Sequence, residues 1–285
     1  MKPHVKIVGL GTTGEKIVKR VLERISKVDD VECFTLDNSE YQNFFRNDVF
    51  YNREEILSSK NYNDDAPVLM LLVGAFGGRF ASYEIPALAR FAKDRGFDVG
   101  VIASTPFKFE GRRRGALSDE ALQSISKISD FNLIFHNGEM MRDSSEIVPK
   151  TLEQAFAMQD DKMADAVESL VKMVAEKGLI VLDYADIRAV WKMSCKSFAF
   201  VSFVRGENET NAEFFARCKK TFSENAGGEV ERALIQVYHG PDFTLADYDE
   251  CMEAICDCFS SDPTVIISDS QNNGNMVSVK ILYEN

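Results

Sequence analysis

The stretch KIVGLGTTGEKIVKRVLE, residues 6–23, decides how the rest of the chain is read. KIVGL is an apolar strand. A G-x-G-x-x-G turn follows at Gly9, Gly11 and Gly14, and Ile17, Val18, Val21, Leu22 and Ile25 then recur at the spacing of one helix face. Strand, glycine turn and amphipathic helix in that order fit three readings: a dinucleotide site, a mononucleotide phosphate site, or a tight turn. The dinucleotide reading also asks for an acid about 20 residues on, at the end of the second strand. Asp37, closing VECFTLD, supplies it.

Working outward, the same alternation continues. Strands are expected at 31–37, 68–73, 99–105 and 131–137, with helices at 83–94 and 115–127. Strand runs apolar on both faces and separated by helices indicate a parallel sheet covered on both sides, an α/β Rossmann-like unit. A helix from 151 to 177 follows, ended by Gly178, with Leu152, Phe156, Met163, Val167, Leu170, Val171 and Val174 at helical spacing. The remainder reads as a smaller α+β unit with strands at 197–204, 233–238, 264–268 and 276–283 and helices at 210–224 and 244–259. Its last two strands, separated by DSQNNGN, are expected to form a hairpin. The expected organisation is a nucleotide-binding domain over 1–150, a central helix with an acidic loop over 151–190, and a C-terminal α+β domain over 191–285.

Bulk properties narrow the function. Among 285 residues, 45 acids against 33 Lys and Arg give a net charge of −12, which opposes general nucleic-acid binding because phosphate neutralisation needs clustered cations. Arg112–Arg114 is the only dense basic run. No secretory signal precedes the first strand, and apolar runs such as 67–74 are far too short to span a bilayer. The expectation is a cytoplasmic protein with no direct membrane contact. Six irregularly spaced cysteines read as reduced, packing residues rather than a metal centre.

Two further loops bear on the opening question. VLMLLVGAFGGRFASYEIPAL ends its strand in a second glycine cluster, Gly74, Gly77 and Gly78, and VIASTPFKFEGRRR ends the next strand in Pro-Phe-x-Phe-Glu-Gly and three arginines. Together with IVGLGTTGEKIVKR, VECFTLDN, AFAMQDD, GLIVLDYADIRAVW and GPDFTLADYDE, these stretches resemble the bacterial tubulin-like cell-division GTPase family FtsZ over nearly the whole chain. The resemblance implies a tubulin/FtsZ-like fold that binds GTP or GDP, with Mg²⁺ accompanying the triphosphate. It also implies head-to-tail self-assembly into filaments.

Residue by residue, the resemblance implies a first phosphate cradle at Gly9, Gly11, Thr12, Thr13 and Gly14, with Lys16 standing where the family has Asn. Asp37 falls in the loop after the second strand. Gly77, Gly78 and Arg79 begin the second cradle, where Gly77 to Tyr83 replace the family's GGGTGTG. Arg79 can meet phosphate there, and a buried Phe80 is expected to block the pocket. Glu110 is implied at the ribose, Arg114 near ribose and phosphates, Asn137 and Phe156 at the base, and Asp160 and Asp161 at the guanine edge. In the catalytic loop the family's Asn becomes Val181, while Asp183 and Asp186 are retained to orient water on a neighbouring subunit's GTP. The chain ends just after its last strand, without the tail that FtsZ uses for membrane-tethering partners, so a specialised filament or regulatory role is expected. Two alternatives stay open: a pseudo-GTPase of the same fold acting as a structural protein, and more distantly an NAD-dependent oxidoreductase.

Overall fold

A computed structural model describes residues 2–25, 28, 30–36, 56–57, 66–140, 151–176, 178, 180, 182–192, 197–271 and 274–284. The chain divides into two compact units, Met1–Ala175 and Glu176–Asn285.

The first unit is built on five parallel strands: β1 (His4–Leu10), β2 (Val31–Leu36), β3 (Val68–Ala75), β4 (Asp98–Thr105) and β5 (Phe131–His136). They lie in the order β2-β1-β3-β4-β5. β1, β3 and β4 are buried almost throughout, as unbroken apolar runs require when helices cover both faces. One polar exception is the fully buried Lys6, whose Nζ donates to Ile56 O at 2.9 Å and pairs with Glu32 at 3.0 Å. Three helices follow strands: α1 (Gly11–Arg24), α2 (Arg79–Asp94) and α3 (Arg112–Ile128). A short α4 (Asn137–Met140) and a long α5 (Leu152–Ala175) complete the unit. On α1 the residues Ile17, Val18, Val21 and Ile25 are buried as the sequence predicts, whereas Leu22 is 46% exposed.

The helices α2 and α3 begin earlier than the periodicity indicates, at Arg79 and Arg112 rather than 83 and 115. Hydrophobic periodicity registers only once a face is buried, and α3 opens on three exposed arginines; the first turn of α2, by contrast, already buries Phe80, Ala81 and Ser82. The glycine loops are correspondingly short, and Arg79 and Phe80 belong to a helix rather than to a loop.

The second unit holds α6 (Tyr184–Lys192), β6 (Ser197–Val204), α7 (Asn211–Ala226), β7 (Val230–His239), α8 (Leu245–Cys256), β8 (Phe259–Gln271) and β9 (Ser278–Glu284). The expected terminal hairpin is not formed. β8 pairs with β7 in parallel, and β9 lies antiparallel between β6 and β7. The reason is local. β7-α8-β8 is a crossover unit, which delivers parallel strands, and the strongly apolar β9 needs partners on both edges. β8, with several exposed positions, takes the outer place. Phe214, Phe215, Phe222, Cys218, Cys251 and Ile255, from α7 and α8, form the core against this sheet.

Candidate functional site

In an open parallel sheet, ligands bind outside the carboxyl ends where strand order reverses. Here the chain runs from β1 outward to β2 and then returns to β3 on the other side of β1. The crevice between the ends of β1 and β3 is therefore the expected place, and it is where the two glycine loops meet.

The first loop is glycine by necessity. A Cβ on Gly9 would overlap the carbonyl of Gly14, and one on Gly14 would overlap the carbonyl of Val73 on β3. Gly11 has φ +72°, a conformation that favours glycine. α1 then starts with no side chain capping it and no acid in its first turn. Thr12 is exposed and Thr13 half-buried there. Free N–H donors and the positive end of the helix dipole make such a terminus an anion site.

The second loop presents a similar terminus. Gly78, exposed and with open space around it, is the N-cap of α2, again with no capping side chain and no acid in the first turn. Arg79 is exposed at the first helical position. Gly77 (φ +95°) is packed differently: its N–H donates to Ser82 Oγ at 3.0 Å, and a Cβ there would press on Arg114 and Pro106 at 3.2 Å. Gly77 thus seats the loop after β4 rather than offering its own donor. Of the two aromatic replacements, Tyr83 is 53% exposed and Phe80 is 9% exposed. The Phe80 ring joins the core cluster of this face, with Cδ1 3.7 Å from the position a Cβ on Gly11 would take. It borders the first loop from beneath the second.

The loop after β4 carries a short 3₁₀ turn, Lys108–Glu110. Glu110 Oε1 accepts from the Phe107 N–H at 2.8 Å and Oε2 pairs with Arg114. Phe107 stacks on Phe109 at 4.9 Å and meets Phe156 edge-on at 5.3 Å. Leu152 and Phe156, the first two members of the apolar stripe on α5, are 59% and 41% exposed. An exposed aromatic edge at this end of the sheet suits stacking on a planar base. Asn137 follows β5 and is 4% exposed.

Asp160 and Asp161 face α1. Asp160 lies 3.5 Å from Arg20, and Asp161 lies 3.6 Å from Arg20 and 3.7 Å from Arg24. Burial pushes the Asp160 carboxyl above the ordinary aspartate range, against the pull of Arg20 and Lys16. Sequence reasoning placed both acids on the base and missed these guanidinium partners, although Arg20 and Arg24 at i, i+4 signal one charged face.

In the second unit, Asp183 and Asp186 are both exposed. Asp183 Oδ1 accepts from the Ala185 N–H at 3.1 Å, and this bond above all holds its carboxyl below the usual range. The loop leading to it is anchored by Asp269, whose Oδ1 accepts from the Ile180 N–H at 2.6 Å. Asp269 and its partner His239, 3.9 Å away, were not singled out from sequence, because nothing in their local spacing links them. Asp37, on which the dinucleotide alternative leans, and Val181 lie outside the described residues. Among the described residues no group of three or more His, Cys, Asp or Glu is placed to hold a metal ion. No helix among them is long and apolar enough to cross a membrane.

A five-stranded parallel unit with glycine loops at its switch point, followed by an α+β unit entered through an acidic loop, defines the tubulin/FtsZ class of fold. Solved structures agree. An FtsZ from M. jannaschii (W319Y mutant) superimposes with a TM-score of 0.80 at 18% identity, covering 100% of this chain and 91% of that one. CetZ from Methanosaeta thermophila gives 0.75 at 16%, covering 99% and 86%. CetZ2 from Haloferax volcanii, solved as a GTPγS-bound protofilament, gives 0.69 at 15%, covering 100% and 93%. In sequence, the cell division protein FtsZ of Caulobacter vibrioides is 28% identical over 205 residues, 71% of this chain and 40% of that protein. FtsZ of Rickettsia bellii is 24% identical over 277 residues, 90% of this chain and 60% of that protein. No family model matches the chain. The chain has the tubulin/FtsZ fold and is similar in sequence to FtsZ, and it spans about half the length of these curated relatives.

Proposed function

We propose that the carboxyl edge of the first unit binds a guanine nucleotide and that copies of the chain assemble head to tail, with Asp183 and Asp186 of one copy serving the nucleotide of the next. The single observation that carries this reading is the pair of uncapped, acid-free helix N-termini, α1 and α2, opening from adjacent strands at the switch point. Phosphates fit there through backbone N–H groups, with Arg79 available for a charge-assisted contact. Phe156 offers a stacking face for the base, and Glu110 and Arg114 flank the loop nearest the ribose. Mg²⁺ bound with a triphosphate uses phosphate oxygens and waters with one or two carboxylates, so no preformed cluster is required.

A heterologous contact that does not close generates a filament. The nucleotide-bound protofilament of the CetZ2 relative supports that mode of assembly. Asp186 extends from the first turn of α6 on its exposed side, and Asp183 holds that turn in place. Asp186 is the acid we assign to orienting water, and Asp183 the one that fixes the loop.

A second reading, a pseudo-GTPase of the same fold, is favoured by the Phe80 ring beside Gly11. Labelled GTP titration with light scattering separates the two. Saturable binding with GTP-dependent scattering supports the first reading, and no binding supports the second. Asp186→Ala is expected to leave monomer affinity within about twofold and to lower turnover about 100-fold, the scale of losing a positioning group. Loss of binding in the isolated monomer would contradict that role.

A further inference from the structure

Three alternate residues on the approach to the acidic loop, Glu176, Gly178 and Ile180, lie against β8. Ser270 Oγ donates to Glu176 Oε2 at 3.3 Å, and Asp269 Oδ1 accepts from the Ile180 N–H at 2.6 Å. Between them, a Cβ on Gly178 would come within 2.2 Å of the Asp269 carbonyl oxygen, so the close approach needs glycine. Asp269 and Ser270 are each 4% exposed, and both are braced from β7. Gln236 Nε2 donates to Ser270 Oγ at 3.1 Å. His239 Nε2 lies 3.9 Å from Asp269 Oδ2, while its Nδ1 donates to Gly240 O at 2.9 Å. Aspartate is disfavoured in strands, and a buried carboxylate is costly unless it is bonded. The bond to Ile180 therefore explains an acid at 269 better than the sheet does. Three residues beyond Ile180, the Asp183 carbonyl accepts from the Asp186 N–H at 3.0 Å and opens α6.

We propose that Asp269 and Ser270 are positioning residues: their clasp on Ile180 and Glu176 sets where Asp183 and Asp186 stand, and so sets the rate of GTP turnover. The inference rests on the assembly reading above, in which Asp186 of one copy orients water on the nucleotide of the next. Neither clasping residue belongs to the glycine-loop edge that takes the phosphates. Loosening the clasp therefore acts on turnover and leaves nucleotide affinity alone. A displacement of about 1 Å in a positioned group is enough to cost about 100-fold in rate.

The test is GTP turnover per sedimented subunit of the full chain, with GTP affinity of the monomer and thermal melts measured alongside. Asp269→Ala should lower turnover at least about tenfold and leave monomer affinity within about twofold. Asp269→Asn keeps an Oδ1 acceptor for the Ile180 N–H and should stay within about threefold of the unaltered chain. Both variants lose the carboxylate that faces His239, so a merely structural role would lower Tm in both and separate neither in turnover. Should Asp269→Ala fail to fold, Ser270→Ala opens the other half of the clasp, and turnover should fall several-fold at unchanged affinity. Unchanged turnover in whichever of these alanine variants folds overturns the assignment while the assembly reading stands. An Asp269→Asn loss as large as that of Asp269→Ala overturns it too. No GTP turnover by the unaltered chain overturns both.

Discussion

Helix N-termini in this chain are treated in two opposite ways. In the second unit α7 and α8 each begin with a complete capping box: Thr210 with Glu213, and Thr244 with Asp247. In each box the threonine hydroxyl accepts from an N–H of the first turn while the acid reaches back to the cap residue. In the first unit α5 begins with a like box, Thr151 with Gln154, but α1, α2 and α3 have no side-chain cap and no acid in the first turn. The same chain can evidently encode caps, so their omission at one sheet edge leaves donors exposed there. Some termini satisfy their own donors, and the three at the strand ends of the first sheet leave them open.

That contrast can be broken at several points, with effects of different size. Gly14→Ala should have the largest, destabilising the chain by about 3 kcal/mol, because the new Cβ would overlap the Val73 carbonyl and neither backbone can withdraw cheaply. Urea denaturation measures it. A change below about 1 kcal/mol would mean that the loop is looser than its geometry. Next come the caps. Thr244→Ala should cost about 1 kcal/mol, whereas Thr13→Ala, in a turn where it caps nothing, should cost under about 0.5 kcal/mol. Equal losses for the two threonines would erase the distinction between capped and uncapped termini.

Much of this arrangement was legible in the sequence, for identifiable reasons. The apolar runs of β1, β3 and β4 and the Gly9, Gly11, Gly14 spacing announce a parallel sheet and its switch-point loops, because burial on both faces and close backbone approach leave few residue choices. Asp183 and Asp186 were singled out by the resemblance of GLIVLDYADIRAVW to the family's catalytic loop. Three features were not legible. The helix start at Arg112 lies on an exposed turn without periodic signal. The placement of β9 between β6 and β7 depends on pairing across sequence distance, which a turn-like DSQNNGN cannot reveal. The partners of Asp160 and Asp161 lie 137–141 positions away on α1, beyond any local pattern.

Gly78→Asp installs on α2 the kind of cap that α7 and α8 already have, at an exposed N-cap with extended backbone and open space for the side chain. Its stability should rise by a few tenths of a kcal/mol at most, about the difference between glycine and aspartate caps. Titrating both proteins with labelled GTP tests the central claim most directly. The account predicts saturable binding by the unaltered chain and at least about tenfold weaker binding by Gly78→Asp, since the new carboxylate takes the N–H groups and repels phosphate. Equal affinity in the two proteins, or no binding by either, would contradict it.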